Sequence, residues 1–97
     1  MNRAAIVLEP HSQTVRIGDQ RVALTPREFA VLRTLVRHRG HVVSRRKLLM
    51  DIWGFADRDI SRCLNVHVHA LRRKIEREPH YPAFIRTVRG RGLLLAA

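Results

Sequence analysis

Asp59-Ile60-Ser61-Arg62-Cys63-Leu64-Asn65-Val66-His67-Val68-His69-Ala70-Leu71-Arg72-Arg73-Lys74-Ile75-Glu76-Arg77 is the stretch on which the fold turns. Ile60, Leu64, Val68, Leu71 and Ile75 recur at the spacing of one helical face, so the segment predicts a helix with an apolar stripe. At about 100° per residue, Arg62, Val66, His69 and Arg73 fall on the opposite side. Ala70, Arg72 and Arg77 flank them. One face needs a core. The other needs something negative that admits a helix, and a nucleic-acid major groove meets that description. A buried helix with a solvated basic back explains this stretch alone equally well. The remainder of the chain decides between them.

Immediately upstream, Phe55 to Ile60 forms a linker in which Asp57 or Asp59 can cap the helix. Before it, Ser44 caps a shorter helix running from Arg45 to about Trp53, with Leu48, Leu49 and Ile52 inward and Gly54 at its end. That helix begins Arg45-Arg46-Lys47, the wrong sign for a helix N-terminus. A phosphate held among the three cations and the free N–H groups would explain the arrangement. Further upstream, Thr25-Pro26-Arg27-Glu28 is a helix start in which Thr25 caps, Pro26 takes the first position and Glu28 completes a capping box. Phe29, Leu32, Leu35 and Val36 share a face, and Gly40 is expected to close the helix in a left-handed conformation. His41-Val42-Val43 reads as an extended link. Residues 4 to 24 read as short strands: Ala4 to Leu8, then Thr14 to Ile17, a Gly18-Asp19 turn, and Arg21 to Leu24.

Downstream, Pro79 and Pro82 end the long helix near Arg77. Ile85-Arg86-Thr87-Val88, the turn Arg89-Gly90-Arg91-Gly92 and Leu93-Leu94-Leu95 make a second hairpin. The expected organisation is one domain over residues 1–97, with a sheet at 1–24, a helical core at 25–78 and a hairpin at 84–96.

Composition narrows the partner. Nineteen Lys and Arg face eight Asp and Glu, for a net charge of +11, which favours a polyanion. Residues 1–24 carry only +1 of it, from Arg3, Arg16 and Arg21 against Glu9 and Asp19. The basic surface therefore lies elsewhere. The single cysteine, Cys63, makes neither an internal disulfide nor a cysteine zinc site, and a reducing, cytoplasmic setting is expected. No apolar run nears the roughly 20 residues that span a bilayer. His67 and His69 diverge by about 200° around their helix and cannot share a metal. No carboxylate pair adjoins a nucleophile, and no Gly-rich phosphate loop precedes a helix. Neither an enzyme nor a cofactor is expected.

Four motifs in order and at matching spacing carry a family resemblance. They are Leu24-Thr25-x-x-Glu28-Phe29, Ser44-Arg45-x-x-Leu48-Leu49-x-x-x-Trp53-Gly54, Arg62-x-x-x-Val66-His67-Val68-x-x-Leu71-Arg72-Arg73-Lys74, and Ile85-x-Thr87-Val88-Arg89-Gly90-x-Gly92. Together they cover nearly the whole chain, which resembles the OmpR/PhoB-type effector domain of bacterial two-component response regulators. The resemblance implies an α+β winged helix-turn-helix: a four-stranded antiparallel N-terminal sheet, three helices and a C-terminal hairpin wing. It implies transcription regulation through double-stranded promoter DNA. Arg62, Val66, His67, Arg72 and Arg73 match recognition-helix positions that face DNA, with His69 and Ala70 on the same surface. Arg45, Arg46, Lys47 and Trp53 are the phosphate candidates. Thr87, Arg89 and Arg91 are the wing candidates. The loop of Phe55, Asp57, Arg58 and Asp59 is the candidate RNA polymerase contact.

Departures accompany the match. Asn65 stands where the family usually has Asp, Ala70 where an Arg often reads a base, and Leu93 where a Tyr follows the wing glycine. A different DNA preference with the same binding mode is expected. The resemblance further implies a free monomer that pairs head to tail on DNA. A phosphorylated receiver domain has no room in 97 residues, so the chain reads as an excised effector half or a stand-alone regulator. Two other classes stay open: an architectural binder acting by charge alone, and a protein–protein module that has lost DNA binding. Five aromatics with no stacking platform disfavour RNA.

Overall fold

A computed structural model describes residues 6–96. Ile6–Glu9 (β1), Thr14–Ile17 (β2) and Gln20–Ala23 (β3) form an antiparallel sheet in the order β1-β2-β3. Gly18 and Asp19 make the two-residue turn, with Gly18 at φ 58° and Ile17 paired with Gln20. The resemblance implied four strands here; three are present among the described residues. Ala4 and Ala5 of the expected first strand lie outside them.

Pro26–Arg37 is α1. The expected capping box is complete: Glu28 N–H donates to Thr25 Oγ1 at 3.2 Å and Thr25 N–H donates to Glu28 Oε1 at 2.9 Å. The helix ends on His38, not on Gly40: the His38 N–H donates to the Leu35 carbonyl at 3.2 Å and the Arg39 N–H to that of Val36 at 3.1 Å. Gly40 has φ 80° and serves two residues later, where its N–H donates to Leu95 O at 3.0 Å.

The expected link at His41–Val43 is a strand. Val42–Val43 (β4) pairs with Gly92–Leu95 (β6), which also pairs with Ile85–Val88 (β5), giving the order β4-β6-β5. Val43 is buried, and buried backbone polar groups need partners. The wing hairpin is thereby tied to the start of Arg45–Trp53 (α2). Gly92 makes that approach feasible. Its φ is 145°, and a Cβ there would overlap the Val43 carbonyl oxygen.

Arg58–Ile75 is α3, capped by Asp57, whose carboxylate accepts from Ile60 N–H at 2.9 Å. It stops two residues before the expected Arg77. Glu76 leaves the helix with extended backbone. Its carboxylate accepts from the N–H groups of Ala83, Phe84 and Ile85 at 2.8–3.1 Å. Four charge-assisted contacts from three N–H groups at a buried site outweigh two more helical residues.

The predicted stripe is the core face of α3. Leu64, Val68, Leu71 and Ile75 are buried, joined by Leu32 and Leu35 of α1, Leu48 of α2, and Ile85 and Leu95 of the wing sheet, while Ile60 is partly buried. Each such aliphatic side chain contributes about 1.5–3 kcal/mol by leaving water. Ile6 and Val15 join the N-terminal sheet to the same cluster. Lys74 Nζ then bonds Glu28 Oε1 at 2.7 Å and Ala23 O at 3.2 Å, fixing α3 to the head of α1 and the end of β3.

Candidate nucleic-acid interface

Because the core holds one face of α3, the opposite face is displayed. Arg62, Val66, His69 and Arg73 are all exposed, as the helical spacing predicts. Val66 is 65% exposed. An aliphatic group that far into solvent contributes little to folding, so any role for it lies in contact with a ligand.

The other three α3 candidates face inward to neighbours. His67 is half-buried, with its ring 5.7 Å from that of Trp53 and tilted by 39°. Trp53 also carries the Arg27 guanidinium 4.8 Å from its ring centroid, and Arg27 Nη1 donates to Ile52 O at 2.7 Å. Trp53 is thus a joint between α1, α2 and α3. Ala70 is half-buried in the cleft toward the wing. Arg72 donates from Nε and Nη2 to Ile85 O at 3.0 and 2.8 Å, and from Nη2 to Thr87 Oγ1 at 3.0 Å. Burial draws its guanidinium below the ordinary value, and the Glu76 carboxylate acts against that. Arginine nevertheless stays charged near neutral pH.

Arg72 and Glu76, four residues apart, therefore hold the same residue of β5. The Ile85 carbonyl accepts from Arg72, and the Ile85 N–H donates to Glu76 Oε2 at 2.8 Å. The side chains of Arg72 in α3 and of its C-cap Glu76 take the place of a neighbouring strand at that edge.

The cation cluster at the start of α2 divides. Arg45 is half-buried and donates from Nη2 to Ser61 O at 3.0 Å and Ser61 Oγ at 2.8 Å. Lys47 pairs with Asp51 at 3.1 Å, both partly exposed, a contact worth little in solution. Arg46 is exposed and has no partner among the described residues. The N-cap is Ser44, whose Oγ accepts from Lys47 N–H at 3.1 Å.

On the wing, Thr87, Arg89 and Arg91 are exposed. Arg91 N–H donates to Val88 O at 2.9 Å, closing the turn over Gly90 at φ 74°. An open cleft of about 580 Å³ lies between α3 and the wing sheet, lined by Arg45, Asn65, Val66, His69, Arg73 and Thr87 among others. No acidic residue lines it among the described residues. Of the expected α2–α3 loop candidates, only Phe55 and the N-cap Asp57 precede the helix; Arg58 and Asp59 form the first turn of α3 because Asp57 caps it, and Phe55, Arg58 and Asp59 are exposed.

Sequence reasoning did not single out Arg86, His80 or Tyr81. All three are exposed beside α3. The alternation of β5 about buried Ile85 could have flagged Arg86. Nothing local could have placed the 79–82 turn against α3.

A basic helix displayed next to a basic hairpin, over an acid-free cleft, defines a winged-helix DNA-binding domain. Residues 19–95 match the family model described as transcriptional regulatory protein, C terminal. The chain belongs to this family, the OmpR/PhoB-type effector domain of response regulators, which is a regulatory fold and not an enzymatic one. It is 42% identical over 90 residues to the transcriptional regulatory protein PmrA of Pectobacterium parmentieri, covering 93% of this chain and 38% of that one. It is 40% identical over 88 residues to the alkaline phosphatase synthesis transcriptional regulatory protein SphR of Synechococcus elongatus, covering 91% and 34%. The chain thus spans about a third of the length of these relatives. Among solved structures, the Klebsiella pneumoniae RstA DNA-binding domain in complex with the RstA box superposes with a TM-score of 0.84 at 29% identity, covering 99% of this chain and 95% of that one. The DNA-binding domain of CpxR from E. coli gives 0.79 at 32%, covering 100% and 95%. No helix among the described residues is long and apolar enough to cross a membrane.

Proposed function

We propose that this domain binds double-stranded promoter DNA in a sequence-specific manner and regulates transcription. The observation that carries the reading is the outer face of α3, where Arg62, Val66, His69 and Arg73 stand clear of every structural duty beside an acid-free cleft. These four side chains read base edges in the major groove: arginine suits guanine O6 and N7, and valine suits a thymine methyl. Arg46 and the N–H groups at the start of α2 take phosphate, while Arg89 and Arg91 carry charge to the adjacent minor groove or backbone. In this reading Arg72, His67, Arg45 and Trp53 act by positioning α3, the wing and α2. Two copies, monomeric when free, bind head to tail on repeated half-sites. Phe55 in the loop and Arg58 and Asp59 in the first turn of α3 offer a surface to RNA polymerase. A phosphorylated receiver domain in a longer cytoplasmic chain supplies control.

Selection of bound sites from a random duplex pool tests the central statement. A defined motif is the expected result. Retention without a motif would leave only an architectural binder held by charge, and no retention at low salt would leave a protein–protein module.

A further inference from the structure

Beyond the cleft between α3 and the wing, a second open cavity of about 710 Å³ continues along the helix toward its C-terminal end. The two share His69, Arg72 and Thr87, so they adjoin at the Arg72–Thr87 hydrogen bond and follow one another as a trough with β5 as a wall. The far end of the trough is built by the turn after α3. Tyr81 N–H donates to Glu78 O at 2.9 Å, and Pro79 and Pro82 brace the turn on either side. Tyr81 is 83% exposed, the most exposed of the large apolar or aromatic side chains on the described surface. His80 and Arg86 stand exposed on the same cavity, and no carboxylate lines it among the described residues.

With a helix in the major groove and a wing at the neighbouring minor groove, the sugar–phosphate strand that divides those grooves must run between helix and wing. The trough is the space between them. We propose that His80, Tyr81 and Arg86 form a phosphate-binding site at the far end of this trough, gripping the dividing DNA strand beyond the reach of the recognition helix. The occupant is the DNA backbone, on the strength of continuity with the acid-free cleft beside α3. Arg86 supplies the charge, and the Tyr81 phenol and a His80 ring N–H donate to phosphate oxygens. Proline bracing lowers the ordering cost of the contact. This inference rests on the DNA-binding reading above. It adds a sequence-independent anchor that the reading does not require.

The test uses the whole chain and a short fluorescein-labelled duplex of arbitrary sequence, titrated across a range of salt. Arg86→Ala is expected to weaken binding several-fold and to lower the slope of log affinity against log salt by about one unit. Tyr81→Phe, which keeps the ring and removes the donor, is expected to weaken binding about fivefold with the slope unchanged, because a neutral donor releases no counterion. If both variants bind as the parent does while Arg91→Ala lowers the slope, the anchor is refuted and the DNA-binding reading stands. If Tyr81→Phe weakens binding only on duplexes carrying two half-sites, the turn contacts a second copy and the phosphate site is refuted. A parent chain that does not bind at low salt overturns both.

Discussion

Arg73 and Val66 differ from the adjacent Arg72 and His67 in having no side-chain partner among the described residues, and this makes their substitutions informative. Arg73→Ala should cost about 1–3 kcal/mol on the selected site and much less on random DNA, shrinking the ratio measured by competition binding. Equal losses on both would remove α3 as the reader. Val66→Ala should relax preference at one base pair and leave the salt slope untouched. Glu28 is the opposite kind of residue, buried and fully engaged. Burial pushes its carboxyl up, but the Lys74 hydrogen bond, the Thr25 N–H and the Lys74 charge together outweigh burial and hold it below the usual carboxylate value. A carboxylate depressed in the folded state stabilises fully above its unfolded pKa, and that contribution is lost as pH falls through the folded one. Thermal melts should therefore show a loss of stability on acidification below about pH 4.5 that Glu28→Gln flattens. At neutral pH, Glu28→Gln should cost about 2 kcal/mol through the lost ion pair. An unchanged acid limb in the variant would contradict this account.

Elements joined by backbone pairing alone can splay, but the wing is joined to α3 by side chains as well. Glu76→Gln keeps the shape and loses two of the charge-assisted acceptances, so it should destabilise the fold by about 1–3 kcal/mol. It should also loosen the wing: hydrogen exchange at residues 83–88 should rise ahead of exchange in α1. Protection that falls uniformly would mean the bonds merely stabilise the whole fold. The sequence made the helices legible because each carries a local signal, such as the Thr25–Glu28 box, the Ser44 cap, a cap at Asp57 or Asp59 and the stripe from Ile60 to Ile75. It hid what depends on distant partners. Val42–Val43 is too short to read as a strand until β6 lies beside it. The end of α3 was misplaced because Glu76 answers to residues 83–85, not to its helical neighbours. The same limit divided the site. Arg62, Val66, His69 and Arg73 were legible as a helical face, whereas Arg72, His67 and Arg45 could be counted as free cations or donors only while Ile85, Trp53 and Ser61 were out of view.

At the scale of the molecule, charge and shape set different observables. With a net charge of +11 and roughly five or six phosphate contacts, log affinity should fall against log salt with a slope of about −5. Anisotropy titrations from low to physiological salt measure it, and a flat dependence would dismiss phosphate anchoring altogether. No heptad seam or long apolar edge appears along the chain, so sedimentation of the free protein should give a monomer. A stable dimer would revive a protein–protein role. The double hold on Ile85 has its own consequence for the duplex. A reader helix and a wing locked at one separation act as a fixed gauge, and whatever misfit remains must be absorbed by the DNA. Bending energy then becomes part of recognition, and it is lowest at pliable pyrimidine–purine steps. Selected sites should be enriched in TA or CA steps between the segments touched by α3 and by the wing, at positions no side chain reaches. Replacing such a step with a stiff A-tract should weaken binding without removing a single contact, whereas equal affinity for both duplexes would show that the protein, not the DNA, supplies the give.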